Sequence, residues 1–259
     1  MIPLAAGESF EAPGIADFWQ PLIGDGAFAV TRSMFVYGIS AIVLCFVLIR
    51  ISSRLKVVPG KVQFATEGVY NLVRNSVGRD IIGSHDFVRF MPLLFSLFIV
   101  ILVNNLFGVI PFIQFPTFSR LGYAVALTIV VYVTYHAVGI RRKGFGGWIK
   151  SFLPSGLPGW LIPLMFVLEF LTYVVTRPLT LALRLFGNMF AGHLLLLVFT
   201  FGGEFLLLHS SAPNKIPGVL SFFFTLVMSA FEILIEFLQA YIFVLLTAVY
   251  IAGAVADEH

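Results

Sequence analysis

The amino-acid sequence predicts an all-α integral membrane protein, and three observations indicate this fold class. Hydrophobic residues make up 59% of the 259 residues and charged residues only 11%, whereas soluble domains carry about 25% charged residues. Several apolar runs reach the roughly 20 residues that a helix needs to cross a hydrocarbon core of about 30 Å. The last two apolar segments, 160–208 and 216–256, are each about twice that length. We expect one membrane domain with about five spanning helices and one interfacial helix.

The first 50 residues predict the orientation of the chain. Residues 1–30 contain four acidic residues and no Lys or Arg, so they are expected to form an external N-terminal segment. The first span, 34–50, is followed by a cluster of basic residues. Because cytoplasmic loops are enriched in Lys and Arg, the N-terminus is predicted to be outside and the loop after the span inside. The cluster comprises Arg50, Arg54, Lys56 and Lys61.

Residues 61–82 have a different pattern. Apolar residues recur at helical spacing, and polar and charged residues occupy the opposite side. This segment is too polar to span a membrane. It is therefore predicted to be an amphipathic helix in the cytoplasmic interface.

Two further spans are predicted at 90–112 and 121–140. The first of them contains Asn104 and Asn105, whose amides need hydrogen-bond partners at that depth, and Pro111 and Pro116 are expected to end it. The second returns to a basic cluster at 141–143. A loop rich in Gly and Pro is predicted from 144 to 158 on the cytoplasmic side.

The two long segments must each be either two spans or one steeply tilted helix. No turn sequence divides either of them, and Pro163 and Pro178 are followed by good helix formers, so both prolines predict kinks. We therefore expect two long tilted helices that form an antiparallel hairpin, joined by a polar external turn at 209–215. With five spans, the C-terminus is predicted to be cytoplasmic.

Arg184 is the most informative residue because it lies at the centre of an apolar segment. Placing an arginine there costs about 2.5–3.5 kcal/mol on insertion scales. It must face water, a partner charge or the protein interior, which favours a functional role. The alternative is a structural ion pair with Glu236 or Glu169.

The expected register of the hairpin pairs polar residues of its two helices. If the turn is centred near residue 212, residues whose numbers sum to about 424–426 face each other. His193 is then level with Glu232, and Arg184 is level with 239–241.

The spacing of these residues also predicts which face of its helix each one occupies. Arg177, Arg184 and Asn188 share one stripe, and His193 lies about 180° round from Arg184. Arg177, near a helix end, is expected to extend to the membrane interface. On the other helix, Glu232, Glu236 and Gln239 share a stripe.

This pattern indicates proton translocation. A His–Glu pair at one depth can pass protons, because histidine titrates near neutral pH. Arginine does not release its proton in a protein, so Arg184 would instead supply a fixed positive potential. The structural alternatives are packing for His193, a helix–helix link for Glu232, and interhelical hydrogen bonding for Asn188 and Gln239.

Several other functions are not indicated. Cys45 is the only cysteine, so an intrachain disulfide is excluded. No spacing suggests a metal site, a P-loop or a nucleophile elbow, and no cofactor or nucleic-acid partner is expected. The N-terminus is not expected to be a signal peptide.

Three stretches resemble subunit a of the F-type ATP synthase. They are RPLTLALRLFGNMFAGHLLL at 177–196, EILIEFLQAYIFVLLTAVY at 232–250 and NNLFGVIP at 104–111. The resemblance covers most of the chain, and RLFGNMFAGH is highly specific.

The resemblance implies roles for six residues in proton translocation, and helical spacing adds a seventh. Arg184 matches the family's essential arginine, which faces a carboxylate of the c-subunit ring, and Asn188 and Gln239 match its polar neighbours. His193 and Glu232 match the pair that lines the external half-channel, in the order typical of mitochondrial members rather than many bacterial ones. The sixth is Glu169, expected in the cytoplasmic half-channel with Thr180 as a weaker candidate. Glu236 is the seventh candidate because it shares the Glu232 stripe, which is a matter of spacing and not of the resemblance.

The resemblance also implies a cellular setting. We expect a non-catalytic subunit that carries protons and works with the c-ring, b-type peripheral stalk subunits, the rest of the F1F0 complex and membrane lipid. A bacterial plasma membrane is expected, with the mitochondrial inner membrane as the alternative. The competing function is a stand-alone proton-coupled secondary transporter, which predicts internal repeats and broken helices near the midplane.

Overall fold

The structure, a computed structural model, describes residues 14, 21–24, 30–110, 117–153, 158–209, 213 and 215–256. The predicted all-α membrane fold is confirmed, because helices account for nearly all of the described residues. Five of these helices are long and apolar enough to cross a membrane. They are Arg32–Ser52, Phe87–Leu106, Leu121–Lys150, Gly159–Leu208 and Lys215–Val255.

The described chain begins with two short strands that the sequence did not predict. Strand β1, Pro21–Ile23, pairs antiparallel with β2, Val30–Thr31. Helix α1, Arg32–Ser52, follows directly and exposes most of its apolar side chains. It is tied to the rest of the fold by a hydrogen bond in which Ser40 Oγ donates to Asn104 Oδ1 at 3.0 Å.

The predicted amphipathic segment is helical over its whole length. Helix α2, Lys61–Leu72, continues as a π-helix over Val73–Ile82 and ends at Gly83, whose φ is +98°. Val73 and Val77 are fully buried. The apolar side of the π-helical half therefore packs on other helices of the protein, α3 (Phe87–Leu106) and α7 (Lys215–Val255).

The two asparagines near the end of α3 both have partners. Asn104 accepts from Ser40 and donates through Nδ2 to the carbonyl of Val100 at 2.8 Å. Asn105 donates through Nδ2 to the backbone carbonyl of Glu236 at 3.3 Å. These bonds attach α3 to the first and last helices. The prolines predicted to end this span, Pro111 and Pro116, lie outside the described residues.

Helix α4, Leu121–Lys150, is longer than the predicted span of 121–140. It contains a sharp bend at Gly144, where φ is +70°, a backbone conformation that glycine adopts at low cost. The predicted loop at 144–158 is therefore wrong in its first part, because a helical turn continues to Lys150. That turn folds back so that Trp148 is buried against Gly139, where a side-chain methyl group would overlap the indole ring.

The first long segment is one continuous helix with a π-helical insert. Helix α5, Ile162–Leu171, leads through the π-helix Thr172–Thr176 into α6, Arg177–Leu208. The kink predicted at Pro163 is wrong, because this proline lies in the first turn of α5, where no backbone hydrogen bond is lost. Pro178 lies in the first turn of α6, directly after the π-helical insert.

Helices α6 and α7 form the predicted antiparallel hairpin. Ser221 Oγ donates to the carbonyl of Phe199 at 2.7 Å. Gly203 packs against Ser221, and Gly218 packs against Leu207. The residue numbers of these three contacts sum to 420–425, close to the sums of about 424–426 expected from the sequence. Residues 210–212 and 214 of the predicted turn lie outside the described residues.

Candidate functional site

A cavity of about 350 Å³ lies between α6 and α7. Helix α3 contributes Asn105 to its wall. The polar lining consists of three residues of α7, together with Asn105 and Asn188, and the rest is apolar or glycine. Four of the seven residues expected to take part in proton translocation line this cavity: Asn188, Glu232, Glu236 and Gln239.

The three polar residues from α7 lie on one buried stripe. Glu232, Glu236 and Gln239 are only 4%, 3% and 2% exposed. Within the described part of the chain, no hydrogen bond reaches the carboxylate oxygens of either glutamate. Burying an ionised carboxylate without such partners is very costly. Two such groups in one span are therefore typical of a functional site rather than of helix packing.

His193 lies on α6 opposite Glu232. Its Nδ1 is 4.0 Å from Glu232 Oε1, and both side chains are buried. The neighbouring Gly192 allows this approach, since a Cβ atom there would lie only 3.0 Å from Glu232 Oε1. A small rotation of either side chain would bring the pair within hydrogen-bond distance.

Glu236 lies one helical turn further along α7 and is enclosed by α3. Its backbone carbonyl accepts from Asn105, and a Cβ atom at Gly108 would lie 3.2 Å from Glu236 Oε1. The sequence analysis treated Asn105 only as a residue needing a partner and did not single out Gly108. The position of the Asn105 amide deep in an apolar span could have indicated that it bonds to another helix of the protein. Nothing in the sequence indicated that Gly108 makes room for a carboxylate.

Arg184 and Asn188 lie on the half-open side of α6. Asn188 Nδ2 donates to Gln239 Oε1 at 2.8 Å, which links α6 to the α7 stripe. Arg184, one turn earlier, is half-buried. In the described structure its guanidinium forms no hydrogen bond and no ion pair. The alternative ion pairs with Glu236 and Glu169 are therefore not formed among these residues.

Glu169 lies apart from the cavity. It is half-buried on α5, on the other side of the π-helical insert from Arg184, and Thr180 is exposed. The sequence analysis expected Arg177 only to extend to the membrane interface, but its guanidinium stacks 3.5 Å from the ring centroid of Tyr173 and 5.1 Å from that of Tyr250.

Comparison with known proteins shows the family. The family model of the ATP synthase A chain matches residues 34–252, which include the whole cavity and every predicted site residue. The chain belongs to this family. The resemblance inferred from the sequence motifs is thus confirmed.

Individual relatives match over nearly their whole length. A protein of Nocardioides sp. named ATP synthase subunit a is 46% identical, with 100% of this chain and 98% of the relative covered. One of Pseudarthrobacter chlorophenolicus with the same name is 40% identical over the same shares. One of Streptomyces lividans is 39% identical over 98% of this chain and 90% of the relative.

Proposed function

We propose that the protein is the proton-translocating stator subunit in the membrane sector of an F-type ATP synthase. Its role is to provide two offset half-channels and an arginine that drives deprotonation of c-ring carboxylates. One observation carries this proposal: two buried carboxylates line a cavity, His193 lies beside one of them, and none of the described residues forms an ion pair with Arg184. Membership of the ATP synthase A chain family supports it.

The first half-channel is assigned to the cavity. Protons from the external side bind to Glu232 and His193, whose side-chain atoms are 4.0 Å apart. Glu236, one turn away on the same stripe, is the next acceptor. The Asn188–Gln239 hydrogen bond fixes the edge of the cavity nearest Arg184. This set of groups is suited to binding and releasing protons and has no added feature for sodium.

Arg184 separates the two half-channels in this mechanism. Its fixed charge favours the ionised form of a ring carboxylate that arrives beside it, and it blocks direct proton flow because arginine keeps its own proton. A guanidinium that forms no ion pair with any described residue is suited to binding a carboxylate from another subunit. The released proton leaves along the second half-channel, to which Glu169 is assigned.

Rotation follows from the cost of charge in lipid. A ring carboxylate that has received a proton from the Glu232 side is neutral and can move into the hydrocarbon region at low cost. It loses the proton when it reaches Arg184 from the other direction. Each proton that crosses a potential of 100 mV supplies about 2.3 kcal/mol for this movement.

The proposed partners and location of the subunit follow from the same assignment. The chain has no catalytic step of its own and works with the c-ring, b-type peripheral stalk subunits and the remaining F1F0 complex. The distribution of Lys and Arg supports an external N-terminus and a cytoplasmic C-terminus, and the relatives quoted above are from bacteria. A bacterial plasma membrane is therefore proposed.

Reconstitution tests this function. The purified chain in liposomes, with a potassium-diffusion potential applied, is expected to carry no rotation-coupled proton flux. Liposomes containing the whole ATP synthase are expected to pump protons on addition of ATP. Rapid saturable proton transport by the chain alone would instead support the stand-alone transporter, and normal pumping by a complex that carries Arg184→Ala would refute the stator mechanism.

A further inference from the structure

The loop between α1 and α2, residues 53–60, carries apolar side chains that the described part of the protein does not cover. Val57 is fully exposed and Val58 is 81% exposed. Three neighbouring apolar side chains, at positions 55, 62 and 64, are also exposed. The loop itself lies outside the spanning helices, because α1 ends at Ser52 and α2 begins at Lys61. A group of exposed apolar side chains of this kind is typical of a binding surface.

Basic side chains surround this apolar loop. The sequence from 50 to 66 contains four of them and no acidic residue. All four are exposed, and none forms an ion pair with any described residue. They are Arg50, Arg54, Lys56 and Lys61. Basic residues directly after a spanning helix, combined with exposed apolar side chains, are typical of a segment that binds anionic lipid.

The side chain of Gln63 closes the loop at its base. Its Nε2 donates to the backbone carbonyl of Lys56 at 2.9 Å, and its Oε1 accepts from the backbone N–H of Lys56 at 3.2 Å. The same Nε2 donates to Glu67 Oε1 at 2.7 Å, so the only acidic side chain of α2 is bound to this amide. Because both backbone groups of Lys56 are held, Val57 and Val58 protrude at a defined position.

Helix α1 has few contacts at the end that leads into this loop. Its only buried residues are Ser33 and Ser40, and its hydrogen bond to α3 is made by Ser40. From 41 to 52 every side chain is exposed or half-buried. The described protein therefore holds α1 mainly by its first half. A membrane contact at the loop would hold the second half.

The length of α1 places the loop at the level of the lipid headgroups. Its 21 residues rise about 32 Å, close to the thickness of the hydrocarbon core of about 30 Å. The loop thus begins where the hydrocarbon ends, and long basic side chains there reach the phosphates of surrounding lipids. A phospholipid is favoured over a protein partner because both of its parts are matched, the phosphate by cations and the acyl chains by the exposed valines.

We propose that the 53–60 loop, together with the first turn of α2, binds anionic phospholipid of the leaflet in which it lies. Val57 and Val58 enter the boundary between headgroups and acyl chains, and the four basic side chains contact lipid phosphates. Interfacial segments bind membranes in this way, through buried apolar area combined with attraction to anionic headgroups. Lipid binding at the loop is independent of Arg184 and of the half-channels, so its failure would leave the proposed function unchanged.

Photo-crosslinking in the complete ATP synthase identifies what touches the loop. A benzophenone amino acid replaces Val58, or Ile42 as the control, and the complex is reconstituted in vesicles of equal parts phosphatidylglycerol and phosphatidylcholine. Ile42 is 71% exposed in the middle of α1, eight residues from Arg50. After illumination, the adducts of the chain are identified by mass spectrometry.

Position 58 is expected to form mainly lipid adducts, with phosphatidylglycerol exceeding phosphatidylcholine at least about threefold. At position 42 the two lipids should react about equally, since no basic side chain there selects a headgroup. Raising the ionic strength from about 0.05 M to about 0.5 M should lower the preference at 58 toward the ratio at 42, because salt screens the attraction. A protein adduct as the main product at 58, or the same lipid ratio at both positions, would overturn the proposal.

Two variants separate the charges from the loop closure. Arg54→Gln/Lys56→Gln should remove most of the preference for phosphatidylglycerol, while lipid adducts at 58 still form. Gln63→Leu removes the hydrogen bonds to Lys56, so the loop opens and total lipid adducts at 58 should fall at least about threefold. Thr66→Val is the matched control on α2, since Thr66 Oγ1 donates within its own helix to the carbonyl of Val62 at 3.0 Å, and it should leave the adducts unchanged.

Each variant has an outcome that contradicts its assigned role. An unchanged lipid preference in Arg54→Gln/Lys56→Gln would overturn the role of the basic side chains, and undiminished adducts in Gln63→Leu would overturn the role of the loop closure. The lipid ratio at 58 and its salt dependence require no further substitution. They decide the proposal even where one of these variants does not accumulate in membranes.

Discussion

Arg177 and Arg184 lie two turns apart on one stripe of the same helix, yet their surroundings differ. The Arg177 guanidinium stacks on two tyrosine rings, whereas no hydrogen bond or ion pair engages Arg184 among the described residues. A cation over an aromatic face is already stabilised within the subunit. The difference teaches that residue type and helical phase do not distinguish the two arginines, because only the neighbours of each show whether its charge is engaged within the subunit.

The same contrast applies to the two ends of the α6–α7 contact. Around His193 and Glu232 the helices enclose a cavity with buried carboxylates and glycines. Around Arg177 the space is filled by the rings of Tyr173 and Tyr250, with Trp148 and Phe152 packed against Tyr173. The first region thus combines buried carboxylates with open space, whereas the second is closely packed with rings.

The largest difference is expected between two single variants, in which Arg184 or Arg177 is replaced by alanine. Arg184→Ala should lower ATP-driven proton pumping by at least about 100-fold, because in the proposed mechanism it removes the charge that faces a ring carboxylate. Arg177→Ala should lower pumping by less than about tenfold, since it removes a cation–π contact. Pumping is measured in inverted vesicles with a pH-sensitive dye. Equal losses in both variants would remove the distinction between them.

A second large effect is expected in the cavity. Glu232→Gln should slow proton transport about tenfold and change its dependence on external pH, because a titratable group next to His193 is lost. Glu204→Gln is the matched control, since Glu204 is an exposed glutamate of α6. Transport rates are compared over a range of pH. An unchanged profile in Glu232→Gln would favour a purely structural link between helices.

A smaller effect is expected from narrowing the space between His193 and Glu232. Gly192→Ala places a methyl group 3.0 Å from Glu232 Oε1, so the carboxylate must move. Pumping should fall about threefold as the pair is displaced. Gly187→Ala is the control on the same helix, because nothing lies within 4 Å of a Cβ atom there. If Gly187→Ala lowered pumping more than Gly192→Ala, the contact between position 192 and Glu232 would not explain the loss.

The smallest effect on transport is expected at Gly139, against which Trp148 packs. Gly139→Ala overlaps the ring of Trp148 and should destabilise the fold by about 1–3 kcal/mol. Gly122→Ala, in the same helix but with open space around it, should have little effect. The midpoint of thermal unfolding in detergent is measured for both. A midpoint that falls equally in both would argue against close packing of Trp148 in this turn.

Much of the site was predictable because it depends on periodicity. The stripe of Glu232, Glu236 and Gln239 follows from spacing along α7, and the hairpin register placed His193 beside Glu232 before any contact was known. The contribution of α3 was not predictable. Asn105 lines the cavity and Gly108 lies against Glu236, through contacts between residues more than 120 positions apart in the chain, which no local pattern describes.

The sequence by itself determined the class of protein, its long helices and the antiparallel pairing of the last two. These properties follow from hydropathy and from the 3.6-residue period, both of which are local properties of each sequence segment. Only the tertiary structure decided the return of Trp148 to Gly139, the π-helical insert before Pro178 and the different surroundings of Arg177 and Arg184. Each of these depends on which side chains from distant helices fill the same space, and packing of that kind is settled only when the helices meet.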